Sequence, residues 1–255
     1  MFLVFPNPQA IARAVSSMLL TQIRNNPTMT LGLATGSTME PVYAQLIQQA
    51  REDQIDMSQL TSFNLDEYVG LSPEHSQSYC YYMHEQLFNH LNFNEPSLNL
   101  PSGLAADLAS ECARYSQDMI SRGGVDLQLL GVGTNGHIGF NEPGTAFDSR
   151  THVVELSEQT RVDNGRFFAS LDEVPTHAIT MGIQDIMDAK QILLIATGAH
   201  KAETLYQYHT QAVNEGMPCT VLKNHPNAII LLDEAAASRL PAQLCNHIEQ
   251  LPAAM

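Results

Sequence analysis

There is no tryptophan among the 255 residues, and 12 lysines and arginines face 27 aspartates and glutamates, a formal net charge of −15. A chain so short of cations cannot present the basic stripe that a phosphodiester backbone needs, which argues against a nucleic-acid partner. Cysteine is scarce too. Cys80, Cys112, Cys219 and Cys245 are scattered with no C-x-x-C spacing, which argues against a zinc site or a disulfide scaffold and suits buried thiols in a reducing compartment. Long apolar runs are also missing. The longest, Gln191 to Thr197 and Ala228 to Leu232, are strand-length and far short of a membrane span, and Met1-Phe-Leu-Val-Phe-Pro6 has neither the basic region nor the apolar core of a secretion signal. The expectation is a cytoplasmic protein with no membrane partner and no metal.

What the chain does have is a hydrophobic fraction of 44%, enough to fill the core of one large domain, with no linker, repeat or low-complexity run to divide it. Short apolar runs alternate with helical patterns along the whole length. Phe2-Leu-Val-Phe5 reads as a strand, and Pro8 then opens a helix whose buried face is Ile11, Val15, Met18, Leu19 and Ile23. Met29–Leu33, Leu60–Leu65, Leu127–Leu130, the Val153-Val154 pair, His177–Met181, Gln191–Thr197 and Asn227–Leu232 read as further strands, with a C-terminal helix after Asp233. This alternation predicts an α/β, Rossmann-like fold, a mostly parallel sheet with helices on both faces, as a single domain over residues 1–255.

The most informative stretch is Gly131-Val-Gly133-Thr-Asn135-Gly136-His137-Ile-Gly-Phe-Asn141-Glu142-Pro143. Its glycines permit tight turning, and a histidine, two amides and a carboxylate follow one another within it. Gly131-x-Gly133-x-x-Gly136, with Glu155 further on, also matches a dinucleotide fingerprint. That motif requires the last glycine to open a helix, and the residues after Gly136 have no helical period. A redox cofactor is therefore not expected, and a purely structural glycine turn remains the bland alternative.

Three other loops follow strands. Ala34-Thr35-Gly36-Ser37-Thr38 precedes a helical pattern and is a ready phosphate cradle, although it lacks the Gly-Lys-Ser/Thr ending of a nucleotide P-loop; Ser37 or Thr38 could equally be an ordinary cap. Asp66-Glu67 ends the third strand, where alternation lets at most one acid face a ligand while the other is structural. Gly198-Ala-His200-Lys201 puts a lysine at a helix start, where it opposes the macrodipole and makes sense opposite a bound anion. An anionic ligand would need the few cations concentrated at the site, and Arg150, Arg161 and Arg166 fall within one short interval; residues 157–175 after the central loop are a candidate lid.

Taken together, Leu33–Thr38, Phe63-Asn-Leu-Asp-Glu-Tyr68, Gly131–Pro143, Thr160-Arg161 through Phe168, and Gly198–Lys201 resemble the glucosamine-6-phosphate deaminases, in order and over nearly the whole chain. The resemblance implies conversion of D-glucosamine 6-phosphate and water to D-fructose 6-phosphate and ammonia, with no cofactor. It implies Asp66 as the base between C2 and C1. His137 would open the ring, oriented by Asn135 and Glu142, and Thr35, Gly36, Ser37, Thr38, Arg166 and Lys201 would hold the phosphate and sugar. It admits a homo-oligomer.

The chain departs from many relatives in two places. Asn135 stands where many have an aspartate, which leaves Glu142 as the nearby carboxylate able to stabilise a protonated His137. His152 and Val154 stand where regulated relatives carry basic groups for an activator's phosphate, so hyperbolic kinetics are expected. A 6-phosphogluconolactonase-like hydrolase shares the glycine-histidine loop, and a non-catalytic sugar-phosphate sensor is the alternative from another class.

Overall fold

The computed structural model describes residues 2–165, 168 and 170–248. Its elements run β1 (Phe2–Phe5), α1 (Pro8–Asn25), β2 (Thr30–Leu33), α2 (Glu40–Glu52), β3 (Thr61–Asn64), β4 (Asp66–Tyr68), α3 (Tyr79–Gln86), β5 (Leu98–Asn99), α4 (Leu108–Ser121) and β6 (Leu127–Leu130). The second half adds β7 (His152–Glu155), α5 (Glu158–Gly165), β8 (His177–Thr180), α6 (Ile183–Met187), β9 (Gln191–Ala196), α7 (Ala202–Thr210), β10 (Ala228–Asp233), α8 (Glu234–Ala237) and β11 (Cys245–His247).

Eight strands form one parallel sheet in the order β11-β1-β10-β9-β6-β2-β3-β5, with the helices packed around it. In its middle β6 is buried throughout and β9 from Ile192 onward, which is why these segments read as apolar runs. The helices follow from local signals. In α1 the Asn7 side chain accepts from the Ala10 N–H at 2.9 Å and Pro8 sits in the first turn, while Ile11, Val15, Leu19 and Ile23 are buried. Burying each such side chain contributes about 1.5–3 kcal/mol. Gly32 in β2 is required by its neighbour, because a Cβ there would stand 1.9 Å from the Gln128 amide oxygen of β6.

Strand order reverses between β2 and β6. Chain leaving β2 goes on to β3 on one side, and β6 is flanked by β9 on the other. At such a switch point the loops beyond the carboxyl ends part and leave a crevice. Here the loops in question are residues 34–38 and 131–143.

Three expected strand segments behave differently from the rest. β4, β8 and β7 form a separate antiparallel sheet rather than extending the parallel one. The handover is made by Leu65, whose N–H donates to Leu33 O at 3.0 Å in the large sheet and whose carbonyl accepts from Met181 N at 2.7 Å beside the small one. The C-terminal helix expected after Asp233 is only α8, and the chain then adds β11 parallel to β1. No described helix is long and apolar enough to cross a membrane.

Candidate active site

The crevice is a cavity of about 390 Å³, within the range that small-molecule sites occupy. Its wall includes Thr35, Gly36, Ser37, Thr38, Asp66, His137 and Lys201, so four loops distant in sequence converge on one space. Asn135 and Glu142 lie outside this lining but touch or approach His137. Arg166 lies outside the described residues.

The loop after β2 does not cap its helix through a hydroxyl. Met39 occupies the N-cap of α2 with no side-chain bond, and the turn is closed by Met39 N on Gly36 O at 2.9 Å. Gly36 holds φ at 102°, and Ser37 is exposed. Two tyrosines brace the loop, Tyr43 Oη on Ala34 O at 2.5 Å and Tyr82 Oη on Gly36 O at 3.0 Å. The hydroxyls thus remain available at the start of a helix, where the dipole favours an anion.

Adjacent acids have opposite fates. The Glu67 carboxylate accepts backbone N–H groups from Tyr68 (2.8 Å), Tyr79 (3.0 Å) and Cys80 (2.8 Å), so it anchors the start of α3; burial pushes it up from its ordinary value while these donors pull it down. Asp66, one residue away, lines the cavity and is 6% exposed. Burial, and then the negative charge of Glu67, push it up to about 8. A carboxyl so poised can take and return a proton near neutral pH.

His137 is set by its own loop. A side chain on Gly133 would collide with the imidazole, 2.1 Å from the ring carbon, so only glycine allows this approach. The Asn135 carbonyl oxygen accepts from His137 N at 3.2 Å, and the Asn135 amide donates to Glu142 Oε2 at 2.6 Å. Glu142 Oε1 lies 3.7 Å from His137 Nδ1 and also accepts from the Thr160 hydroxyl at 2.8 Å. Asn141, fully buried, spends its amide on Ile138 O (2.9 Å) and Met181 O (2.8 Å), which pins the loop to the small sheet. After Gly136 the loop continues through a short bridge between Ile138 and Asn141 rather than a helix, so the dinucleotide reading has no pyrophosphate site.

Lys201 reaches the cavity from a turn that Asp233 fixes, since the Gly198 N–H donates to both Asp233 oxygens at 2.9 and 3.0 Å. Two of the other expected cations are employed elsewhere. Arg150 pairs with Asp185 (2.9 Å) and Asp188 (2.5 Å), and Arg161 donates to the Leu171 carbonyl at 3.1 Å; neither lines the cavity. Sequence proximity misled here, because Arg150, before β7, is drawn to the acids of α6 and its C-cap, and Arg161 in α5 is spent on backbone carbonyls. Aromatic walls went unread as well. Tyr68, Tyr79, Tyr82, Phe140 and Phe168 all face the cavity, with Tyr79 and Phe140 stacked at 6.2 Å. Of these, Tyr68, Phe140 and Phe168 sat in motifs that could have signalled them. Among the described residues no cluster of side chains could hold a metal ion.

A parallel sheet whose crevice unites a hydroxyl-rich loop, a lysine, an imidazole and a buried carboxyl defines a class of sugar-phosphate proteins, and a model of the glucosamine-6-phosphate isomerases/6-phosphogluconolactonase family matches residues 7–231; the chain belongs to that family. Within it the similarity runs to the deaminases. The glucosamine-6-phosphate deaminase of Shouchella clausii (strain KSM-K16) is 47% identical, over 91% of this chain and 94% of its own. That of Oceanobacillus iheyensis is 49% identical over 90% and 92%. A solved structure of a monomeric glucosamine-6-phosphate deaminase superposes with a TM-score of 0.91 at 42% identity, covering 94% of this chain and 100% of that one. The 6-phosphogluconolactonase from Trypanosoma brucei, at 19% identity and a TM-score of 0.71, shares the fold.

Proposed function

We infer that the cavity converts D-glucosamine 6-phosphate and water to D-fructose 6-phosphate and ammonia. The observation that carries this reading is the opening of Asp66 and His137 into one space, with Lys201 and the Thr35–Thr38 loop at its rim. The open-chain aldose gives up its C2 proton to Asp66, which returns it to C1. The resulting ketimine at C2 takes up water and releases ammonia. His137 serves the earlier step, moving a proton at the ring oxygen, with Glu142 beside it to stabilise the imidazolium and Asn135 to hold Glu142. Asn135 cannot supply charge of its own, so the burden falls on Glu142.

Thr35, Gly36, Ser37, Thr38 and Lys201 are assigned to the phosphate, together with Arg166. Dispersing the dianion over backbone N–H groups, hydroxyls and an ammonium suits a chain with few cations to spare. An ammonium at C2 of the bound sugar would bring Asp66 the counter-charge it lacks, favouring the ionised base at the moment it is needed. Segment 157–175 contributes Thr160 and Phe168 to the cavity wall, which supports its assignment as a lid that excludes water.

Lactone hydrolysis is the weaker reading. It needs no carbon base, and Asp66 would then be a buried carboxyl without a task. A coupled ammonia assay on wild type and on His137→Gln tests the assignment. The wild type should release ammonia from glucosamine 6-phosphate and leave 6-phosphogluconolactone intact, and the variant should lose about 10²–10⁴ of the rate. Lactone hydrolysis without ammonia release would replace the deaminase reading, and binding with no product at all would point to a sensor.

A further inference from the structure

Glu142 divides its two oxygens between two anchors. Oε2 accepts from the Asn135 amide at 2.6 Å. Oε1, the oxygen that lies 3.7 Å from His137 Nδ1, accepts from the Thr160 hydroxyl at 2.8 Å. The first anchor belongs to the same loop as Glu142, whereas the second comes from α5, 18 residues away, on the cavity wall. Thr160 is itself held. Its N–H donates to Ser157 Oγ at 3.1 Å, and the two hydroxyl oxygens lie 2.8 Å apart. Because the single Thr160 hydroxyl proton goes to the carboxylate, the Ser157 hydroxyl is the donor to Thr160. A relay of donors therefore runs from Ser157 through Thr160 to the carboxylate beside the imidazole, each bond polarising the next.

We propose that Thr160 is a positioning residue for the ring-opening step, its hydroxyl holding the Glu142 carboxylate in the orientation that presents Oε1 to His137. The terminal torsion of a glutamate is broad, so a carboxylate tied at one oxygen alone can swing about that tie. Two ties on opposite oxygens fix its plane. Seating of α5 against the central loop is thereby part of building the His137–Glu142 pair, and a displaced α5 leaves the imidazole with a wandering partner. The proposal rests on the deaminase reading of the cavity.

Steady-state kinetics of ammonia release from glucosamine 6-phosphate test it on Thr160→Val, Thr160→Ser and Ser157→Ala. Valine keeps the shape and removes the donor. Thr160→Val should lower kcat about tenfold, the scale of one lost hydrogen bond to a charged group, with KM within about threefold of wild type. Thr160→Ser should restore kcat to within about twofold of wild type, and Ser157→Ala should fall between the two. In a Glu142→Gln background the cost of Thr160→Val should shrink toward nothing, because the group being held is gone. Wild-type kcat in Thr160→Val would overturn the proposal, and so would a serine variant as slow as the valine one or an undiminished valine effect in the Glu142→Gln background. Should Thr160→Val fail to fold, the serine variant and Ser157→Ala decide in the same way. A wild-type enzyme that releases no ammonia would overturn the reading of the cavity itself, a result separate from any of these.

Discussion

The two sheets of this molecule divide its labour. The eight-stranded sheet is enclosed by a core that runs from Leu3 to Leu240 and buries β2 and β6 along their whole length, whereas the antiparallel sheet of β4, β8 and β7 has a core of its own made of Tyr68, Phe140, Leu156 and Ala178. Yet the small sheet supplies Asp66, and its flank packs the aromatic wall of the cavity. Stability is concentrated in one sheet. Asp66, which we assign as the carbon base, stands in the other, in surroundings that push its carboxyl up to about 8.

Asp66→Asn gives the largest separation of the two roles. Turnover should fall by about 10²–10⁴, as expected when a general base is removed, while the fold survives. Ammonia release near the wild-type rate would assign the base elsewhere. Leu129→Ala, in the fully buried β6, should do the opposite, costing about 4 kcal/mol in denaturant unfolding and leaving kcat of the folded fraction close to wild type. Leu156→Ala, in the small cluster, should cost about 2 kcal/mol, since a small cluster loses fewer contacts, but lower kcat/KM more than Leu129→Ala does. Equal stability costs and equal activities in these two variants would erase the distinction.

A subtler contrast concerns pH. The folded Asp66 carboxyl stands at about 8 against an ordinary 3.8, so its ionisation weakens the native state. Its contribution to stability is complete below about 3.8 and is lost as pH rises through about 8. Asp66→Asn should therefore melt with the wild type near pH 4 and above it at pH 8, a gap read by thermal melts; identical curves at both values would mean that Asp66 is well solvated. The smallest expected effect is none at all. With His152 turned onto the Arg150 carbonyl at 2.8 Å and Val154 beside the small core, rate curves should be hyperbolic and unmoved by N-acetylglucosamine 6-phosphate.

Much of this was readable in the residues, and the misses have physical causes. The switch-point loops were legible because strand, glycine loop and helix follow each other in pattern. The opposite placements of Asp66, on the cavity, and Glu67, on backbone donors, were foreshadowed by the alternation of a strand. Membership of β7 and β8 in a second sheet was not, because a short apolar run looks the same whether its partner runs parallel or antiparallel. Two-residue β5 and three-residue β11 carry no period at all. Arg150 and Arg161 misled because charge count in an interval ignores which partners the fold brings up, and Arg150 found two aspartates of α6 and its C-cap instead. Thr160 stood in a recognised motif, but only folding revealed which carboxylate it holds.

Leu65 ends as more than a connector. With its N–H on one sheet and its carbonyl on the other, it lets Asp66 project like a cantilever from the edge of the buried large sheet. Amide exchange should register that: slow at Leu65, whose proton is released only by global opening, and faster at Met181, which local opening of the small sheet can free. On that pattern the proposed base would keep its height above the crevice while the small sheet opens and closes.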